Sequence, residues 1–184
     1  VAAWGEQCMG GRSAIAPGGS NYASLASTER AFAALTVDGE IFCWGHASYG
    51  GSKPTIAVGT GFTGLAANKQ AFAVWSTATA EIVAWGSAAY GGGVGSDATT
   101  KDTGGMMPMA IASTGQSFAA LLVDGSFILW GDSSRGASGT SATTSSGAPC
   151  NWQCVSARNH TSYIVSSDLG YAALTESGSI SSWG

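Results

Sequence analysis

Charge is scarce in this chain. Asp, Glu, Lys and Arg make up 10% of its 184 residues, with seven Lys and Arg against eleven Asp and Glu, a formal net charge of −4. So small a charged fraction beside 45% hydrophobic residues excludes a disordered chain, which combines high charge with little apolar surface. No basic cluster occurs, so nucleic acid held by phosphate neutralisation is not expected as a partner. Apolar runs are short. None approaches the ~20 residues of a membrane-spanning helix, and direct membrane insertion is not expected. Histidine occurs twice, at His46 and His160, and neither has metal-type spacing to another His or to Cys. No metal or other cofactor is expected. Four cysteines do not make a disulfide framework at this length. Cys150 and Cys154, in "CNWQC", either bridge a small loop or stand as two thiols, and Cys43 reads as a small buried side chain.

What the chain has is glycine, 28 residues of it, and tryptophan followed by glycine. Five Trp-Gly pairs, at Trp4, Trp44, Trp85, Trp130 and Trp183, are separated by 40, 41, 45 and 53 residues. Segments 25–45, 111–131 and 164–184 align without gaps, and 65–86 needs one extra residue at its turn. Repetition at this period marks a stacked or radial repeat architecture. Each unit reads as a β-hairpin: "AFAALT" and "EIFCW" are short, aromatic and branched, and "VDG" separates them. Gly39, Gly125 and Gly178 suit a turn position with positive φ, and "TATA" lengthens the turn of the 65–86 unit. A short strand such as "LAS" or "IAS" precedes each hairpin.

Both alternating sets of "AFAAL" are apolar: Ala31, Ala33 and Leu35 on one side, Phe32 and Ala34 on the other. A strand apolar on both faces needs a neighbouring layer on each side, and small sheets stacked face to face supply it. The expected fold is all-β: a β-propeller built from repeated small antiparallel sheets. A β-helix repeats over fewer residues, helical solenoids need a 3.6-residue period, and a sandwich does not explain the repetition.

The pattern "FAALxxDGxxxxWGxxxxGG" resembles the repeat of the regulator of chromosome condensation family. Phe32–Gly51, Phe72–Gly92 and Phe118–Gly136 carry it, with a partial copy at Tyr171–Gly184. The units here are shorter than the family's, the 65–86 unit lacks Asp-Gly, and "RGA" replaces "YGG" after Trp130. The family generally closes with seven blades. The chain is therefore expected to form one repeat domain, 1–184, with units of about 1–24, 25–64, 65–110, 111–163 and 164–184. It would be either a partial propeller of four to five blades or part of a seven-bladed ring, and part of a longer chain. Trp4 has no aromatic strand before it, so its strand belongs either to a cut blade or to the last sheet of a small closed ring.

Catalytic groups are sparse. "GQSFA" at 115–119 has the outline of a nucleophile elbow, but Ser117 takes the place of Ala31 and Ala71 within a strand. "GGGVG" at 91–95 lacks the Lys-Ser/Thr of a phosphate loop, and turn chemistry accounts for Asp38 and Asp124. No enzyme activity is expected. The variation lies in connectors, above all "ASGTSATTSSGAPCNWQC" at 137–154, where Trp152 is a candidate contact residue. The bends Glu29-Arg30, Lys69-Gln70, Gly115-Gln116 and Asp168-Leu169 are equivalent in the repeat and would gather on one rim of a propeller. The leading expectation is a non-enzymatic protein-interaction scaffold, a peripheral subunit of a larger assembly with protein partners. Nucleotide exchange on a small GTPase is the alternative that the resemblance implies. Carbohydrate binding is a third.

Overall fold

The computed structural model describes residues 5–6, 11, 17–52, 54, 61–93, 98–137, 161–175 and 178–184. Trp4, Cys150, Trp152, Cys154 and His160 lie outside the described residues, and so does the question of where the Trp4 strand pairs.

Four antiparallel sheets follow one another along the chain. The first holds β1 (Tyr22–Ser27), β2 (Ala31–Thr36) and β3 (Ile41–Gly45). The second holds β4 (Gly64–Ala67), β5 (Ala71–Ser76), β6 (Glu81–Gly86) and β7 (Thr99–Lys101). The third holds β8 (Pro108–Ser113), β9 (Ser117–Leu122) and β10 (Phe127–Gly131). The fourth holds β11 (Thr161–Ser166), β12 (Tyr171–Thr175) and β13 (Ile180–Trp183). Within each sheet the strands pair in chain order. The three-residue β7 is an addition that no repeat signal announced: part of the connector after Gly86 pairs with β6 as a fourth strand.

The spacing of aromatic and Trp-Gly is a matter of register. Phe32 stands opposite Trp44, Phe72 opposite Trp85, Phe118 opposite Trp130 and Tyr171 opposite Trp183. In each pair the rings stack, with centroids 5.3–5.6 Å apart. Directly opposed residues on one face are the unit of sheet stabilisation, and aromatic pairs add to plain burial.

One blade's aromatic face packs on the small-residue face of the blade before it. Phe72, Val74, Val83 and Trp85 of the second blade share a core with Ala31, Ala33, Leu35 and Ile41 of the first. Phe118, Leu122, Ile128 and Trp130 of the third meet Ala71, Ala73, Ile82 and Ala84 of the second. Ile164, Tyr171 and Trp183 of the fourth meet Ala119 and Leu121 of the third. Alanine on one side and a ring on the other lets neighbouring sheets approach without leaving a void. The middle strands β5 and β9 are consequently apolar and almost wholly buried on both faces. The matching small-residue face of the fourth blade is open: Ile180 is 75% exposed where its equivalents Ile41 and Ile82 are 2% and 0%. Among the described residues no further blade covers it.

After Trp-Gly the chain makes a single 3-10 turn (Ala47–Tyr49, Ala88–Tyr90, Ser133–Arg135) closed by Gly50, Gly91 or Gly136 in the left-handed region. Gly50 shows why. Its φ is +87°, a Cβ there would come within 2.5 Å of Phe72, and its carbonyl accepts the Trp85 indole N–H at 3.0 Å. The "YGG" of one blade is thus a seat for the ring of the next. The first strands β1, β4, β8 and β11 are neighbours in succession, so they lie innermost around a common axis.

Candidate functional site

The bends that leave the first strands come together at one end of that axis. Segments 27–29, 67–69, 113–115 and 166–168 line one recess of about 580 Å³. Each blade builds its bend the same way. A polar side chain three residues ahead of the middle strand accepts hydrogen bonds from amides that follow it. Asn68 Oδ1 accepts from Gln70 and Ala71 N–H at 3.0 and 2.8 Å, and Thr114 Oγ1 from Gln116 and Ser117 N–H at 3.3 and 3.0 Å. Thr28 and Ser167 hold the equivalent place. Such side-chain turns fix a bend without further secondary structure. Three of these residues also donate to the end of their own blade's 3-10 turn: Thr28 to Tyr49 O at 3.0 Å, Asn68 to Tyr90 O at 2.7 Å and Thr114 to Arg135 O at 3.1 Å.

Backbone bonds then run from blade to blade around the recess. Glu29 N–H donates to Lys69 O at 2.9 Å, Lys69 N–H to Gly115 O at 3.3 Å, and Gly115 N–H to Asp168 O at 2.9 Å. The rim is therefore fixed both within blades and between them.

Of the sequence-derived candidates, Glu29 and Lys69 line the recess with Gly115 and Asp168. Lys69 Nζ lies 3.0 Å from Asp168 Oδ1. Arg30, Gln70, Gln116 and Leu169 stand one residue further on, on the outer shoulder of the same bends. The Arg30 guanidinium carbon is 5.1 Å from the centroid of the Tyr49 ring. The backbone carbonyls of Arg30, Gln70 and Gln116 accept from His46, Ser87 and Asp132 N–H, which ties the shoulder to the segment after Trp-Gly. The capping positions Thr28, Asn68, Thr114 and Ser167 were missed in the sequence; their constant offset before the repeat-equivalent Ala31, Ala71, Ser117 and Gly170 was the available signal.

Ser117 is a buried strand residue. Its hydroxyl lies 2.7 Å from Thr114 Oγ1, 2.6 Å from Arg135 O and 2.8 Å from the Tyr171 hydroxyl. This cluster lets the fourth blade carry Tyr where the others carry Phe, since a buried phenol needs a partner. Burial raises the pKa of the Tyr171 hydroxyl above its ordinary value, opposed by the bonds from Ser117 and Thr114. Asp124 accepts from Ser126 N–H at 3.0 Å, a turn role. Cys43 is half-buried against the core between the first two blades. No helix among the described residues is long and apolar enough to cross a membrane.

No family model and no curated protein matches the chain. Solved structures do. Human WBSCR16 superposes with a TM-score of 0.64 at 19% identity, over 89% of this chain and 47% of that one. Yeast RCC1 (Prp20) bound to Kap60 gives 0.63 at 14%, over 91% and 45%. The fold is that of an RCC1-like β-propeller. The CRINKLY WD40 ectodomain of the Arabidopsis thaliana receptor kinase ACR4 gives 0.62 at 13%, over 94% of this chain and 56% of that one. The chain spans about half the length of these solved chains.

Proposed function

We propose that this RCC1-like arc is a non-enzymatic protein-interaction scaffold, a peripheral subunit of a larger assembly that binds its partner through the axial rim. The observation that carries the reading is the convergence of four equivalent, hydrogen-bonded bends that differ in chemistry: Glu29-Arg30, Lys69-Gln70, Gly115-Gln116 and Asp168-Leu169. Four like sites would suit one repeated small ligand. Four unlike groups in fixed positions suit one heterogeneous protein surface, whose specificity comes from complementary placement of charge. Yeast Prp20p, a structural neighbour, has been described with its binding to Gsp1p and histones, and another of its structures holds Kap60. Trp44, Trp85 and Trp130 are buried, the last two between blades, so they offer no stacking platform for a sugar.

The test is a rim variant, Glu29→Arg with Lys69→Glu and Gln116→Glu, compared with the parent chain by quantitative affinity purification from its native source. The reading expects a defined set of proteins with the parent chain and at least a tenfold loss of that set with the variant, thermal unfolding being little changed. Equal recovery by both forms, or nothing above a tag control, would refute it.

A further inference from the structure

The blade ends remote from the rim carry the hairpin turns that follow β2, β5 and β9, and two properties distinguish them. The first is apolar exposure. Met106, Met107, Met109 and Val123 are all exposed, Met109 and Val123 at 54%. They are joined through the backbone: Val123 N–H donates to Met107 O at 2.9 Å, and Met106 N–H to Thr103 O at 3.1 Å. The segment is anchored at both ends. Buried Thr103 donates its hydroxyl to Ala80 O at 2.8 Å in the second blade's turn, and Pro108 stands opposite Leu122 in the third. The methionines are thus displayed on a fixed ledge between two blades. Single exposed apolar side chains are ordinary, but four in one place form a patch, and Met adapts its shape to a partner.

The second property is charge of one sign. Exposed Asp102 and Asp124 border the ledge, Asp102 next to Thr103 and Asp124 next to Val123. Glu81 follows Ala80, and Asp38 occupies the first blade's turn. The described cations are elsewhere. Arg30 and Lys69 are on the opposite rim, and Arg135 lies in the 3-10 turn tied to the bend at Thr114. Lys101 turns inward: its Nζ donates to Thr99 Oγ1 at 2.9 Å and stands 5.8 Å from the Trp130 ring centroid.

From this pairing of adaptable apolar surface with carboxylates that no described cation faces, we infer that the Met106–Met109 ledge docks a basic amphipathic helix of a partner protein. The apolar face of the helix rests on the methionines and Val123, and its Lys or Arg side chains reach Asp102, Asp124 and Glu81. The surface is separate from the axial rim, so the two readings stand or fall independently.

The test uses the chain with methyl-13C methionine, titrated with a synthetic Leu/Lys amphipathic helix of about 18 residues and with its Leu/Glu counterpart. Single Met→Leu variants assign the methyl signals. The inference expects saturable shifts of the Met106, Met107 and Met109 methyls with the Lys peptide and none with the Glu peptide. Affinity should fall at least tenfold in Asp102→Lys/Asp124→Lys and in Met107→Ser/Met109→Ser, with the Trp85 indole N–H signal unmoved as proof of an intact blade. Equal binding of both peptides, shifts that spare the ledge methyls, or full affinity in either double variant would overturn it.

Discussion

Lys69 and Asp168 form an ion pair across a blade to which neither belongs. Lys69 Nζ of the second blade stands 3.0 Å from Asp168 Oδ1 of the fourth, over Gly115 of the third. The bare Cα of Gly115 permits this, because a Cβ there would collide with the Asp168 carboxylate and stand 3.1 Å from Nζ. Both partners are well exposed, so screening keeps the pair to a small contribution, within about 0–1 kcal/mol. Gly115→Ala is expected to separate the charges at little cost, since a flexible carboxylate can move aside. A double-mutant cycle with Lys69→Met and Asp168→Asn checks this: coupling of about 0.5 kcal/mol in the parent, near zero in the alanine variant, and weaker at high salt.

The Ser117–Tyr171 contact makes a sharper stability prediction. Ser117→Ala leaves a buried phenol short of a partner and is expected to cost about 1–3 kcal/mol, whereas Tyr171→Phe leaves Ser117 its bonds to Thr114 and Arg135 and costs about 1. Ser117→Ala with Tyr171→Phe recreates the Ala and Phe of the other blades and is expected to recover most of the loss. Urea unfolding of the four proteins gives the coupling energy.

The same phenol predicts a pH dependence. Its folded pKa is raised by burial, so the folded state keeps a proton that the unfolded chain releases near pH 10. Stability from this group is fully present below that pH and is lost as pH rises toward the folded value. Urea midpoints measured between pH 8 and 11 should fall less steeply in Tyr171→Phe than in the parent.

Two glycines in the left-handed region separate strain from packing. Gly105, with φ +79°, has nothing within 4 Å of a Cβ position, while Gly50, with φ +87°, faces Phe72. Gly105→Ala is expected to cost about 1–2 kcal/mol, the left-handed penalty alone. Gly50→Ala adds the overpacking of Phe72, for about 2–4 kcal/mol in all. Equal losses would show that Gly50 is a turn residue only.

Much of this architecture was legible in the sequence. Phe32 and Trp44 recur at a fixed offset because they face each other across two strands, and the two-faced apolarity of "AFAAL" announces the stacking of sheets. The gathering of Glu29, Lys69, Gly115 and Asp168 at one mouth follows from repeat equivalence. Contacts between blades were not legible, because nothing local to Lys69 points 99 residues ahead to Asp168. Nor did the pattern reveal β7, whose three residues are too short for any periodicity, or Thr28, Asn68 and Thr114 as one capping position. Their constant offset before Ala31, Ala71 and Ser117 was there to be read, but the change from Thr to Asn at position 68 obscured it.

Adjacent blades stabilise each other through one ring-on-alanine interface after another. Hydrogen–deuterium exchange on Trp85→Ala tests it most directly. The loss of a buried Trp is expected to cost about 3–5 kcal/mol, and exchange should quicken in both β2 and β5, on the two sides of the emptied interface, with β12 least affected. Faster exchange confined to β5 and β6, with β2 unchanged, would contradict it.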